Sequence, residues 1–397
     1  MVMLQGSTVS IHKDKEQDSY LSAVREFEKE LHSDPTLNDI LSLAPITRMK
    51  NISFISHLCT TDPSPVTFSR YEHSLGVAYL ASRATLHLGV PKQDVDWKAV
   101  VVAALLHDVG HPPFSHITEQ FLVEKKRRYH FYFTLEAIRN LASSNPQATD
   151  LLEKSYDVLT KRSSYSSLLH GLLSCDNIDG IFRSALFFGL GAIDPRSVLD
   201  SVYSSQKLKR ASADLIWSLT KQIYENKLMA SEVLATEAMI SRAMEIAAQH
   251  DPNFTQILLR SGDSDLFARL RTYEDSAYLI SQLEKKNFFT PLWQHVPNLD
   301  YEIQRRKGRL TLPERLSIIH LVAEKLGIPC KDVVVYCKVY KQILKIPSHY
   351  QSYQPDLFSC LSSEINYLDA NNQELHSLSK VRKRRHRIHV FVNVSHK

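Results

Sequence analysis

The sequence is poor in the residues that build most nucleotide-binding turns and disulfide scaffolds. Its 397 residues include only 11 glycines, and none falls into a G-x-G-x-x-G turn, a Walker-type phosphate loop or a G-x-S-x-G nucleophile elbow. Dinucleotide, P-loop and serine-hydrolase chemistry are thereby disfavoured. The five cysteines, Cys59, Cys175, Cys330, Cys337 and Cys360, are widely spaced and include no C-x-x-C pair, which fits neither a disulfide framework nor a zinc ribbon. No run of 18 apolar residues occurs, and the start of the chain turns quickly to charged residues at His12–Glu16. The expectation is therefore a cytoplasmic protein with no signal peptide and no membrane partner. There is no internal repeat. Strong net charge is also missing: of the overall +5, residues 380–397 hold seven bases and no acid, leaving 41 bases against 43 acids in residues 1–379. Nothing suggests a chain-wide basic coat; the excess is local.

What the sequence does have is helix. A hydrophobic content of 43% over this length supports a real core. Apolar residues recur at helical spacing in a lead-in over residues 17–45, then in His73–Leu88, Val95–Leu106, His116–Glu124, Phe131–Leu141 and Ser167–Phe187. Breaks fall at Gly89-Val-Pro, Gly110-His-Pro-Pro and Ser144-Asn-Pro. Helical patterning continues over 211–249 and 264–289. After Pro297 short β-branched runs appear at Tyr301–Arg306, Asp332–Val339 and Arg387–Val394, with a helix at Pro313–Leu326. The expected organisation is mainly α: a lead-in (1–45), an all-helical core (46–190), a helical extension completing the substrate pocket (191–297) and a small C-terminal α/β subdomain with a basic segment (298–397).

Histidine is concentrated where chemistry would need it. Of 18 histidines, His107, His111, His116 and His130 fall within 24 residues, and His73 lies a short way upstream. Ala104-Leu-Leu leads into His107-Asp108, placing a carboxylate at the buried end of a core helix, where it needs a compensating partner, and a divalent cation is the strongest one. Neighbours on a helix point about 100° apart, so His107 and Asp108 need ligands from other helices. His73 offers one. The segment Ser174-Cys-Asp176-Asn-Ile-Asp179-Gly-Ile-Phe-Arg183 offers a carboxylate, Asp176 by motif order, with Asp179 one turn later as its competitor. Such mixed nitrogen and oxygen ligation suits Mn, Fe, Ni, Zn or Mg.

These strings carry a family resemblance. His73…His107-Asp108…Asp176 resembles the signature of the HD-domain metal-dependent phosphohydrolases. RYEHSLGV, LLHDVGHPPFSH and the later DxxDxxxR resemble its deoxynucleoside triphosphate triphosphohydrolase branch, which includes bacterial dGTPases and the vertebrate SAM-and-HD-domain enzyme. Residues 46–51 and 263–270 resemble flanking segments of that branch. The resemblance implies an all-helical HD core with metal ligands His73, His107, Asp108 and Asp176, and a catalytic set of His111, His116, Glu119 and His130. It also implies a substrate pocket including Arg70, Asn51, Asp179, Arg183 and Tyr224, with Arg70 on a phosphate. A nucleotide substrate, an allosteric nucleotide and a homo-oligomer are the implied partners.

The departures are specific. Asn177, Gly180 and Ser184 stand where the branch has a basic residue, a tyrosine and an aspartate, Asn51 stands where it commonly has glutamine, and Glu225 follows Tyr224. Metal chemistry reads as intact and the pocket as altered. Two further functions stay open: an HD-type nuclease or phosphodiesterase acting on single-stranded nucleic acid or a signalling nucleotide, and a nucleotide-sensing regulator with little turnover. Three basic clusters, Lys125–Arg128, Arg305–Arg309 and Lys380–Arg387, are candidates for anion contacts, the last for nucleic acid.

Overall fold

Helices begin where the sequence supplies caps. Ser69 and Glu72 form a reciprocal capping box that starts Arg70–His87, Asp94 caps Val95–Leu106, Ser174 caps Cys175–Phe187, and Thr311 with Glu314 starts Leu312–Leu326. Gly327, at φ 62°, ends the last of these in the left-handed conformation that glycine adopts without strain. The computed structural model describes residues 13–55, 67–121, 129–144, 146–191, 193–304, 310–343, 367–368, 374–375 and 382–394. The clusters Lys125–Arg128 and Arg305–Arg309, and Lys380, lie outside the described residues. Sixteen α-helices are present among them, and the chain is mainly α, as the periodicity predicts. No helix among the described residues is long and apolar enough to cross a membrane.

Val95–Leu106 is the central helix. Nine of its residues are buried, which is what a helix apolar on every side requires. It packs between Arg70–His87 and Thr149–Leu159, and its last turn delivers His107 and Asp108 into the interior. The surrounding apolar core runs from Tyr20 to Ile223, crossing the boundaries drawn at residues 45 and 190. A second core joins Phe114 and Ile117 to Ser231–His250, the helices after it and one face of the C-terminal sheet. The other face of that sheet packs on Leu312–Leu326.

The sheet has three antiparallel strands in the order Thr290–Pro291, Arg382–Val392, Val333–Ile343. Three expectations need correction. Tyr301 to Gln304 belong to a helix, Pro297–Gln304, because Pro297 opens its first turn and Leu299 and Ile303, four residues apart, both pack into the core beneath the sheet. The described part of the run His116–Glu124, as far as Phe121, consists of two 3-10 turns, Ser115–Ile117 and Glu119–Phe121, and 122–124 lie outside the described residues. The run 167–187 is broken between a 3-10 turn ending at Leu169 and the helix from Cys175.

Candidate active site

His73, in the first turns of Arg70–His87, is held from behind. Its Nδ1 is 2.7 Å from Asp179 Oδ2, the same carboxylate accepts from Arg183 Nε at 2.7 Å, and the Tyr20 hydroxyl donates to Asp179 Oδ1 at 2.7 Å. Asp179 is fully buried. Burial would raise its pKa, but Arg183 and His73 outweigh it and keep the carboxyl below its ordinary value. With Nδ1 committed to this carboxylate, His73 presents Nε2 to the site centre, the usual way a second carboxylate orients a ligating imidazole.

His107 is turned the same way by the backbone. Its Nδ1 lies 2.7 Å from the Ala104 carbonyl, and its Nε2 is buried without a hydrogen-bond partner. Around that atom stand Asp108 Oδ1 at 3.4 Å and Asp176 Oδ1 at 3.7 Å. His73 Nε2 lies 3.2 Å from Asp176 Oδ1 and 3.8 Å from Asp108 Oδ2. His73, His107 and Asp108 each bring one ligand atom within 4.8 Å of the others, spacings compatible with bonds of about 2.0–2.2 Å to a common cation, and Asp176 Oδ1 borders the two imidazoles. Burial would lower the His107 pKa, yet Asp108 and Asp176 hold it up at about 9, so the carboxylates draw positive charge to this point. His73, His107 and Asp108 could hold a divalent metal, with Asp176 beside them.

The expected catalytic set forms a second knot beside the first. Glu119 bridges two histidines, with Oε1 2.5 Å from His130 Nδ1 and Oε2 3.2 Å from His116 Nδ1. Burial would raise Glu119, but these two partners keep it well below the carboxylate range. The His111 ring stacks on His130 at a centroid distance of 4.2 Å, and its Nε2 is 3.3 Å from Asp108 Oδ1. Burial, with the Arg70 guanidinium, pushes His111 well below the ordinary histidine value, leaving it neutral at pH 7. His116 is the outward member, its side chain 68% exposed.

The loop carrying these histidines is shaped by contacts remote in sequence. Arg48 donates to the carbonyls of Val109, His111 and Ser261. Asp263 accepts from the backbone of Phe114 and of Ser53. Phe114 and Ser115 both sit at positive φ, 53° and 49°, a strained conformation for residues with side chains that persists only where surrounding contacts impose it. Gly110 admits the close approach of the next helix: a Cβ there would lie 2.1 Å from the His130 carbonyl oxygen.

The pocket residues fare differently. Arg70 is buried, with Nη1 2.6 Å from Asp108 Oδ2 and Nε donating to Ser115, so here it clamps a candidate metal ligand. Asp179 and Arg183 are 0% and 1% exposed. The pocket assignment of these two is corrected: they lie behind the His73 ring, because Asp176 and Asp179, one turn apart, divide between the centre and its support. Asn51 is exposed in the turn Met49–Asn51, and Tyr224 is 45% exposed in the π-helical turn Gln222–Lys227; they occupy elements other than those of the two knots. Sequence reasoning missed Tyr20, Arg48, Asp263 and Phe54. Phe54 lies against His73 with its ring tilted and centroids 4.5 Å apart, and sits under the Arg70 guanidinium at 5.1 Å.

Tyr20 yields a direct prediction. Tyr20→Phe removes the donor to Asp179 and is expected to destabilise the fold by about 1–2 kcal/mol and to weaken metal affinity roughly 10-fold or more. Urea titration and metal competition against a chelator check the two effects separately. Unchanged metal affinity would remove Tyr20 from the support of His73.

Residues 70–160 match the HD domain family model. Among curated proteins, an uncharacterized protein of Methanocaldococcus jannaschii is 26% identical over 276 residues, covering 66% of this chain and 57% of that protein. A deoxynucleoside triphosphate triphosphohydrolase of Danio rerio is 32% identical over 105 residues, 25% of this chain and 16% of that protein. The matched region therefore spans less than two thirds of either relative. Among solved structures, a phosphohydrolase of Bacteroides thetaiotaomicron superposes with a TM-score of 0.60 at 17% identity, over 90% of this chain and 95% of that one. At that identity the likeness is one of fold.

Proposed function

Since the chain carries an HD domain over residues 70–160, we propose that it is a metal-dependent nucleotide phosphohydrolase, and more narrowly one that cleaves a deoxynucleoside triphosphate into deoxynucleoside and triphosphate, through a substrate pocket of its own. One observation carries the reading: the buried, unpartnered Nε2 of His107 faces the same point as His73 Nε2, Asp108 and Asp176. A divalent ion there, Mn, Fe, Ni, Zn or Mg, supplies charge neutralisation for a phosphoryl group and acidifies water. The protein's own groups do the rest. A water attacks the α-phosphorus and releases its proton to bulk solvent, the bond from phosphorus to the sugar oxygen breaks with the electron pair leaving on that oxygen, and that oxygen takes a proton from His116, which regains one from solvent. Glu119 accepts from His116 Nδ1 and so aims its other nitrogen outward. His111 and His130, stacked ring on ring, wall this side of the site. Arg70 keeps Asp108 ionised and in place.

The space beside Gly180 supports an altered pocket. A Cβ at Gly180 would meet Phe54 Cζ at 3.5 Å and His73 Cε1 at 3.7 Å, so Phe54 borders the volume that a larger residue at 180 would claim. The test is incubation of purified protein with each canonical and several modified nucleotides under a panel of divalent metals, with products separated by anion exchange. Deoxynucleoside plus triphosphate is the expected pair, lost after chelation and restored by metal. Stoichiometrically bound metal with every nucleotide intact would defeat the proposal, and cleavage of a single-stranded oligonucleotide without mononucleotide turnover would replace it with the nuclease reading.

A further inference from the structure

Beside the His73, His107 and Asp108 cluster stands a second group with the makings of a metal site. His111, His116, Glu119 and His130 each bring one ligand atom within 4.8 Å of the others. They come from the loop after Val95–Leu106, the turns Ser115–Ile117 and Glu119–Phe121, and the first turn of Tyr129–Ser144. In all three histidines Nδ1 is the atom that faces the Glu119 carboxylate: His130 at 2.5 Å from Oε1, His116 at 3.2 Å from Oε2 and His111 at 3.9 Å from Oε1. Ligands of a tetrahedral ion with bonds of about 2.0–2.1 Å stand roughly 3.3 Å apart, so shifts of under about 1 Å seat an ion among these atoms.

A knot held by hydrogen bonds alone accounts for His116 and His130 but not for His111. The Nε2 of His111 lies 3.3 Å from Asp108 Oδ1, a carboxylate oxygen that accepts, so Nε2 carries the ring proton. Its Nδ1 is buried without a hydrogen-bond partner. At 3.9 Å Glu119 is beyond hydrogen-bond reach, so a proton on Nδ1 would be a buried donor with no acceptor, at a cost of about 1–3 kcal/mol. Nδ1 is therefore a lone pair facing a carboxylate, two buried acceptors that a cation between them would satisfy together. Asp108 stands behind His111 as Asp179 stands behind His73, the support that orients an imidazole toward a metal. The His111 and His130 rings are nearly parallel, 11° apart at a centroid distance of 4.2 Å, so one must tilt for both to converge; His130, the more exposed of the two, has the room. Exposed His116 leaves a way in from solvent.

We infer that His111, His116, Glu119 and His130 form a second divalent-metal site, joined to the first centre through the His111 ring. Three imidazoles and one carboxylate favour zinc over magnesium or manganese. Binding there does not depend on the proposed hydrolysis. Its effect on turnover rests on that reading: an ion on His116 Nδ1 replaces the proton through which Glu119 aims that ring, so turnover should fall as the second ion binds.

The test is a zinc titration of the metal-free full chain, read by equilibrium dialysis and elemental analysis. The unaltered protein is expected to bind two equivalents, and His116→Ala with Glu119→Gln to keep one, which also shows that the variant retains its first centre. In the unaltered protein, labelling of His116 by diethyl pyrocarbonate should be lost once two equivalents are bound, a readout that needs no variant to fold. One equivalent in the unaltered protein overturns the inference. So do two equivalents in the variant, or two in the unaltered protein with His116 still labelled, since both mean adventitious binding elsewhere. Two equivalents with His116 protected and no nucleotide hydrolysed at any zinc level would sink the proposed hydrolysis and leave the second site standing.

Discussion

Asp108→Asn is expected to abolish hydrolysis, by on the order of 10³-fold or more, which corresponds to the several kcal/mol that a cation contributes in stabilising phosphoryl charge. Asparagine keeps the shape and removes the charge. Asp108 is the residue on which the two knots meet: one carboxylate faces Arg70 at 2.6 Å, His111 at 3.3 Å, His107 at 3.4 Å and His73 at 3.8 Å. Burial would raise its pKa, but His107 and Arg70 hold it well below the ordinary value. Its loss strands the buried guanidinium of Arg70, and breaking a buried pair from one side costs about 3–5 kcal/mol. Metal analysis, thermal unfolding and product release should therefore all respond. A variant that retained full metal content and turnover would remove His107-Asp108 from the catalytic centre.

Gly76→Ala should be strongly damaging. In most helix interiors alanine improves on glycine by about 1 kcal/mol. At Gly76 the added Cβ would fall 2.0 Å from Asp179 Oδ1, 2.7 Å from its Cγ and 2.9 Å from Arg183 Nη2, in a place where nothing can move without breaking the support of His73. A loss of about 2–4 kcal/mol is expected, together with weakened metal binding. Gly180→Ala is the control: its nearest neighbours lie at 3.5 Å and beyond, so the ordinary helix gain should survive. Urea titration of both variants reads the contrast, and similar stabilities for the two would mean that the Gly76 contact relaxes freely.

The cluster of His73, His107 and Asp108 was legible because its members sit in local strings whose chemistry is unusual for their burial, such as a carboxylate following Ala104-Leu-Leu-His107. The division of labour between Asp176 and Asp179 was not, since residues three apart on a helix share a direction and only the packed neighbours decide which one reaches the centre. Tyr20 lies 159 residues from Asp179, and no spacing rule connects them. Arg48 and Asp263 stood in segments that attracted notice, yet their task, fixing backbone carbonyls and amides of the histidine loop, leaves no trace in composition. Tyr301 was misread because alternating Tyr-Glu-Ile-Gln suits a strand as well as a helical turn, and the contact of Leu299 and Ile303 with the sheet settled the matter.

The hydrogen bonds of Arg48 and Asp263 have a consequence for modularity. Residues 70–160 alone would contain the histidines but lack Asp176, and with it the second carboxylate at the centre. They would also lack Tyr20 and Asp179 behind His73, Asp263, which accepts from the strained Phe114 backbone, and Arg48, which holds the carbonyls of Val109 and His111. Excised or transplanted into another chain, that stretch would carry the letters of the site without its geometry; the smallest heritable unit of this centre runs from the first helix to Asp263.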